Sequence, residues 1–188
     1  GLAGLAGQYL GIGDQIAVDT VGADGRPASW KKKAGGILNV RDFGAKGDGA
    51  TDDSAAFQAA VNAVGNGTLL VPPGTYRIHA ISCTQGTMIL CSDANGEVSA
   101  NANGTGAGRV KFVYNGTGGA NSFMFRWRAG VANNWLFGGG ILGRPVMHGS
   151  ILCAIGIQAS STSRQRFDIE MRNFIYAGVR LDSSNGVL

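Results

Sequence analysis

The stretch from Asn39 to Ile78, NVRDFGAKGDGATDDSAAFQAAVNAVGNGTLLVPPGTYRI, constrains this chain more than any other, because turn, helix, strand and turn signals follow one another within it. Gly44, Gly47 and Gly49 surround Lys46 and Asp48, so the backbone turns repeatedly where positive φ carries no steric penalty. Thr51 reads as a helix N-cap, with Asp52 and Asp53 in the first turn opposing the positive end of the helix dipole. Phe57, Ala60, Val61 and Val64 then fall at i, i+3, i+4 and i+7, one apolar stripe on a helix of about three turns, and Gly65 supplies a left-handed stop. Thr68 to Val71 reads as a short buried strand that Pro72-Pro73-Gly74 must break, after which Thr75 to Ile81 resumes with aromatic and β-branched residues. Turn and capping roles account for Asp48, Asp52 and Asp53 without any chemistry.

Beyond position 83 helical periodicity is absent. Short strands separated by Gly, Asn and Ser turns are expected at Thr87–Cys91, Arg109–Tyr114, Ser122–Trp127, Trp135–Phe137, Ile141–Leu142, Ile151–Gln158, Phe167–Arg172 and Phe174–Leu181. Such spacing suits a sandwich, a barrel or a β-solenoid. With 44% hydrophobic residues, 15% charged and 32 glycines, the chain is turn-rich and globular rather than disordered. No apolar run of membrane-spanning length and no signal peptide is visible, although the chain opens on Gly1 rather than Met.

The segments NVRDFGAKGDGATDDSAAFQAAV and LLVPPGTYRI together resemble the pectate-lyase-like superfamily, as found at the start of β-helical domains in bacteriophage tailspikes and in some secreted polysaccharide-degrading enzymes. The resemblance is clear over residues 37–90 and rests on rung pattern beyond them. It implies a mainly β fold, a right-handed parallel β-helix with an N-terminal capping helix over about 52–64 that lays Phe57, Val61 and Val64 across the open bore. Three regions are expected: an attachment or linker segment over 1–36, the opening of the β-helix with its capping helix over 37–94, and first coils over 95–188. At a little over twenty residues per coil, 95–188 would supply on the order of four coils, a stack roughly 20 Å tall at the strand spacing.

The first region differs in character. GLAGLAGQ is small and flexible, Gln15 to Val21 reads as one strand, VGADGRPASW as a hairpin or turn ending in Trp30, and Lys31 to Lys33 as a linker. Stretches like VGADGRPASW recur in phage virion proteins, which implies a tail-docking segment; three lysines in a hinge read as a solvated linker, with no nucleic-acid partner. At the other end, no capping sequence follows Asn185-Gly186, and an uncovered solenoid coil leaves an apolar edge, so the chain reads as the front part of a longer polypeptide.

Cys83, Cys91 and Cys153 read as buried thiols without a zinc-like spacing, and an odd, unstapled set suits assembly in bacterial cytoplasm. His79 and His148 have no evident acidic or serine partner in sequence. No metal or cofactor is implied.

Candidate chemistry lies near the end of the chain. Phe167, Ile169 and Met171 alternate with Asp168, Glu170 and Arg172, which sends the apolar set inward and the charged set outward. On one strand face Asp168 and Glu170 would have Cα atoms about 7 Å apart, a spacing that acid and base catalysis of glycoside hydrolysis allows. Asp182 could join them from the adjoining coil, and Arg172 or Arg180 could bind an anionic sugar or stabilise an enolate in a lyase. Alternating charge on an exposed strand is equally what a soluble sheet displays. The resemblance implies active sites in the middle of the β-helix or between subunits, outside these residues.

Residues 1–94 carry 7 basic and 8 acidic side chains, and 95–188 carry 9 and 4, so the expected coils are +5 against −1 for the front. Arg with aromatic neighbours suits acidic glycans, which makes Arg126, Trp127, Arg128 and Trp135 candidate binding residues, although tryptophans in strands also serve packing. The resemblance implies a homotrimeric phage tailspike or tail-fibre component in the virion, docked to tail or baseplate proteins through 1–36, that recognises host surface polysaccharide. Depolymerase activity stays open. A secreted lyase or glycoside hydrolase and a non-catalytic trimeric adhesin are the alternatives, and no membrane insertion is expected.

Overall fold

A computed structural model describes residues 16–18, 30–32, 37–84, 86–92, 109–129 and 136–182. At the front, β1 (Ile16–Val18) pairs antiparallel with β2 (Trp30–Lys32), so Lys31 and Lys32 belong to a strand rather than a linker.

From Ile37 the chain winds as a coil whose strands return to three parallel sheets in turn, A, B and C. The first turn lays β3 (Ile37–Asn39) in sheet A and β4 (Asp48–Asp52) in sheet B, then α1 (Ser54–Val64) where a third strand would lie. The second places β5 (Thr68–Val71), β6 (Gly74–Ile78) and β7 (Ile81–Cys83) in A, B and C. The third repeats this with β8 (Met88–Cys91), β9 (Val110–Tyr114) and β10 (Gly119–Arg128). After β11 (Leu136–Phe137), the fourth is β12 (Gly140–Leu142), β13 (Val146–His148) and β14 (Cys153–Ser160). Beyond β15 (Thr162–Ser163), which pairs with β11, the fifth is β16 (Arg166–Phe167), β17 (Glu170–Arg172) and β18 (Ala177–Asp182). Every pairing between coils is parallel. This is the β-helix the opening segment implies. Among the described residues, 95–188 provide two complete coils and part of a third rather than four, because long connections such as the one between β8 and β9 consume the difference.

Register stacks like positions into columns inside the bore. Leu69, Ile89, Ile141 and Phe167 form one; Tyr76, Phe112, Met147 and Met171 another; Cys83, Trp127, Ala159 and Leu181 a third. Aromatic rings link the columns: Phe112 meets Phe125 at 5.2 Å, and Trp127 meets Phe167 at 5.4 Å, both edge-on, the geometry aromatic quadrupoles favour. Leu181 continues the third column into the fifth coil, and Val179 continues the neighbouring stack of Ile81, Phe125 and Ile157; they are 46% and 42% exposed there.

The helix plugs the stack as its stripe predicts. Phe57, Ala60, Val61 and Val64 are all buried, and Phe57 packs edge-on to Tyr76 at 5.3 Å and Phe112 at 5.7 Å. Gly65 ends the helix with φ 58°, its N–H donating to the Val61 carbonyl at 3.2 Å.

The helix start departs from expectation. Asp53, not Thr51, is the N-cap, and its buried carboxylate makes no cap bond but accepts from the Lys46 and Gly47 amides at 2.7 and 3.1 Å, pinning the preceding turn. Asp52 takes the Ser54 amide and hydroxyl instead. The glycine-rich run is also a strand at Asp48–Asp52, because its backbone pairs with β6. Asp48 folds back on the Thr51 and Ala50 amides and the Thr51 hydroxyl, which hold its pKa down at about 2.

Cys83, Cys91 and Cys153 are buried, as expected of small apolar side chains. Burial pushes the Cys83 thiol far up and the Cys153 thiol to about 11, so neither is a thiolate at neutral pH.

Candidate functional site

Asp168 and Glu170 do not share the one straight strand that the candidate catalytic pair assumes. The run from Phe167 to Arg172 is two strands with a corner between them, because Asp168 and Ile169 carry the chain from sheet A to sheet B. Asp168 sits in that corner with Arg144 Nε 3.7 Å from its Oδ1, while Glu170 lies on β17 and Asp182 on β18 in sheet C. The inward set survives the break, since Phe167, Ile169 and Met171 pack against the core.

Each carboxylate is already committed. Glu170 is bracketed by Arg172, which bonds Oε1 through Nε at 2.7 Å and through its terminal nitrogen, and by Arg109, 3.4 Å from Oε2. Arg109 is itself only 8% exposed and also donates to the Arg144 carbonyl at 2.7 Å. The Arg172 bond, aided by Arg109, holds the Glu170 carboxyl below its ordinary range. Hydrogen bonds from Gln158 and Arg180, both 2.7 Å, do the same for Asp182. A general acid needs a raised pKa, so neither is built for that role.

These lowered values make a pH prediction. A carboxylate with a depressed folded pKa contributes stability that is present above its unfolded value of about 4.3 and is lost as pH falls through the folded value. Glu170→Gln is expected to lower stability at pH 7 by about 1 kcal/mol, discounted for partial exposure, and to narrow the gap between thermal midpoints at neutral and acid pH. The Asp168→Asn, Glu170→Gln double variant is expected to keep any glycan-cleaving activity. Loss of turnover with an unchanged midpoint would return these groups to a catalytic role.

Of the other sequence candidates, Trp127 is corrected outright. It is 0% exposed, lies in the bore, and its indole N–H donates to the Thr87 carbonyl at 3.2 Å, so no ring face is left for a sugar. Trp135 lies outside the described residues. Sheet C does bring Arg126, Gln158 and Arg180 into one register row and Arg128, Ser160 and Asp182 into the next. The Arg126 guanidinium lies over the Phe123 ring, 4.1 Å from its centroid.

A richer surface forms on the outside of sheet B. Two register rows cross it: Asp48, Thr75, Lys111, Val146 and Glu170 in one, and Asp52, Arg77, Val113, His148 and Arg172 in the other. Intervening residues fill the bore, so the face carries charged and polar groups, interrupted by Val113 and the buried Val146, on strands about 4.8 Å apart. Sequence reading found Glu170 and Arg172 here but missed Arg77, Lys111 and His148, which only the register unites.

The face turns at its edge into a groove of about 580 Å³ lined by His79, Tyr114, Asn115, Asn121, Ser122 and Phe123. His79 is not without partners, as its sequence suggested: Nδ1 is 3.0 Å from Ser54 Oγ, 2.9 Å from Asn115 Oδ1 and 4.0 Å from Asp52 Oδ2. Burial works against the Asp52 charge, but bonds from Ser54 and Asn115 outweigh it and keep its pKa low. The Ser54 hydroxyl donates to Asp52 at 2.6 Å and accepts the His79 amide at 3.0 Å. It is therefore occupied in joining helix to coil, not free as a nucleophile. A bond from Nδ1–H to Asn115 leaves Nε2 as the remaining acceptor of the ring.

Comparison with known proteins fits this geometry. The sequence profile of the family described as rhamnogalacturonase A/epimerase, pectate lyase-like, matches residues 37–136. Mannuronan C5-epimerase AlgE6 of Azotobacter vinelandii is 56% identical over 45 residues, 22% of this chain and 5% of that protein. An iota-carrageenase of Alteromonas macleodii is 50% identical over 46 residues, 22% and 9% of the respective chains. Among solved structures, ORF18 of Geobacillus virus E2 superposes with a TM-score of 0.58 at 24% identity, over 76% of this chain and 27% of its own. An iota-carrageenase complexed to iota-carrageenan fragments gives 0.55 at 24% identity, over 82% and 34%. The chain thus spans about a third or less of these structures, and the likeness establishes the fold. With a profile match over more than half of its residues and the parallel coils that match requires, the chain belongs to the rhamnogalacturonase A/epimerase, pectate lyase-like family.

Proposed function

We propose that this protein is a tailspike or tail-fibre component of a phage virion, that it holds host surface polysaccharide along the outer face of sheet B, and that it acts as a homotrimer docked to tail proteins through residues 1–36. The observation that carries the reading is the face itself: Arg77, Lys111, His148 and Arg172 repeat along the coil axis and turn into a groove rich in amide and hydroxyl groups. A linear array of donors on a rigid sheet suits an extended sugar chain, and arginine and lysine suit its acidic groups. Polysaccharide as ligand is supported by relatives named for mannuronan, alginate and iota-carrageenan. Virion placement is supported by the fold of the Geobacillus virus protein.

A secreted polysaccharide-modifying enzyme is the second reading. It is favoured by the 56% identity to the Azotobacter epimerases, well above the 24% to the viral protein, although over a shorter stretch.

The test is incubation of the full-length protein with a panel of bacterial capsular polysaccharides and lipopolysaccharides, recording new reducing ends and the ultraviolet absorbance of unsaturated sugars. Reducing ends alone identify a hydrolase, and both signals a lyase. Binding without either identifies an adhesive body. A trimer by light scattering and binding to phage host glycans are expected; a monomer that binds none of the panel would overturn the proposal.

A further inference from the structure

We propose that Lys111, His148 and Arg172 form a subsite for an anionic substituent of a sugar chain, a carboxylate or a sulfate ester, and that His148 takes up one proton from solvent when the anion binds. The subsite rests on the polysaccharide reading above. Its geometry comes from register: Arg172 stands directly beside His148 on β17, and Lys111 stands diagonally across on β9, beside Val146. All three side chains belong to the outward rows, so their charges converge on one patch of a flat sheet.

The charged groups facing His148 can be named element by element. Lys111 comes from β9, and Arg172 and Glu170 come from β17. Arg109, just before β9, reaches Glu170. The turn after β13 contributes Ser150, and the corner after β17 contributes Asn173. The Glu170 carboxylate is already shared between Arg109 and Arg172, and Lys111 has no ion pair among the described residues. The patch therefore has more cation than anion beside the imidazole.

The structure holds the imidazole in its neutral form. The Ser150 amide donates to Nδ1 at 3.1 Å, so that nitrogen is bare and Nε2 carries the hydrogen; the Asn173 side-chain amide, whose Nδ2 stands 2.7 Å from Nε2, accepts that hydrogen once it is turned so that its oxygen faces the ring. Burial first, then Lys111 and Arg172, hold its pKa below the ordinary value. Protonation is nevertheless provided for: Ser150 Oγ lies 3.5 Å from Nδ1 and can rotate to accept the new N–H. An anion seated among the cations cancels the repulsion that keeps the ring neutral, so His148 gains a proton as the anion docks. By linkage, affinity for the anion rises as pH falls through the titration of His148, by at most tenfold per pH unit for one proton.

The chain contains two histidines, so both can be followed by NMR through their ring C–H signals. Titrations from about pH 5 to 8 would be run alone and with a uronate oligosaccharide, a sulfated galactan oligosaccharide and a neutral dextran oligosaccharide. The pKa of His148 is expected to rise with the charged probes and not with dextran. A response to only one charged probe supports the subsite and fixes which oxyanion it takes. His148→Gln, with its His79 signals unchanged as a check on folding, is expected to bind the anion with a flat pH profile. Lys111→Gln is expected to lose about tenfold in affinity. Equal binding of charged and neutral probes, or a pH dependence that survives His148→Gln, would overturn the subsite and leave the polysaccharide reading standing. Failure of both charged probes to bind would also overturn it, and the glycan panel above then decides the function separately.

Discussion

Phe57→Asp is expected to destroy cooperative folding of the coil, or to lower its stability by about 4 kcal/mol or more. Phe57 is fully buried, lies edge-on to both Tyr76 and Phe112, and is the helix residue that closes the aromatic column of the bore. Truncating a buried phenylalanine alone costs about 3–5 kcal/mol, and a carboxylate in its place would be set against the Tyr76 and Phe112 rings. The expected signature is a large fall in the denaturant midpoint, with Phe57→Leu losing much less because volume and apolarity are largely kept. If Phe57→Asp unfolds at the same midpoint as the parent, the helix is not a plug and the core begins elsewhere.

Gly140→Ala is expected to be among the costliest methyl additions at the described glycines. Gly140 begins β12 at φ 137°, where side chains of L-residues are strained, and its missing Cβ would overlap the carbonyl oxygen of Arg166 on the next coil. Backbone cannot swing aside as a flexible side chain can, so relief requires the fourth and fifth coils to separate along sheet A. A loss of about 3 kcal/mol or more is expected. Gly138→Ala is the control: its φ is 76°, but nothing lies within 4 Å of the added carbon, so only the left-handed penalty of about 1 kcal/mol applies. Equal losses for the two variants by chemical denaturation would show that coil contact at Gly140 is not the constraint.

Much of the architecture is legible in the sequence because its signals are local. The apolar stripe from Phe57 to Val64, the double proline after Val71 and the short strand expected at Arg109–Tyr114 each involve a few neighbouring residues, and the structure has the helix, the strand ending at Val71 and a strand at Val110–Tyr114. What failed was set by contacts across coils. Asp168 and Glu170 are two residues apart with perfect alternation between them, yet a corner separates them, and alternation cannot distinguish a straight strand from a bend that keeps apolar groups inward. Trp127 looked like a sugar platform between two arginines, but the ring on the inward side of a strand is the one with the most apolar area to bury. His79 and Ser54 are 25 residues apart, and Lys111 and His148 are separated by one full coil; only the winding makes them neighbours. Thus the candidate face was half visible, through Glu170 and Arg172, and its other members follow from register alone.

The central claim, that the outer face of sheet B holds the sugar chain, is tested most directly by NMR chemical-shift mapping with a polysaccharide oligomer the full-length protein has been shown to bind. The account predicts perturbations along Arg77, Lys111, His148 and Arg172 and in the groove by His79 and Asn115, with the buried Leu69, Ile89 and Ile141 column unmoved. Perturbations confined to sheet C, around Arg126 and Arg180, or to neither face, would contradict it.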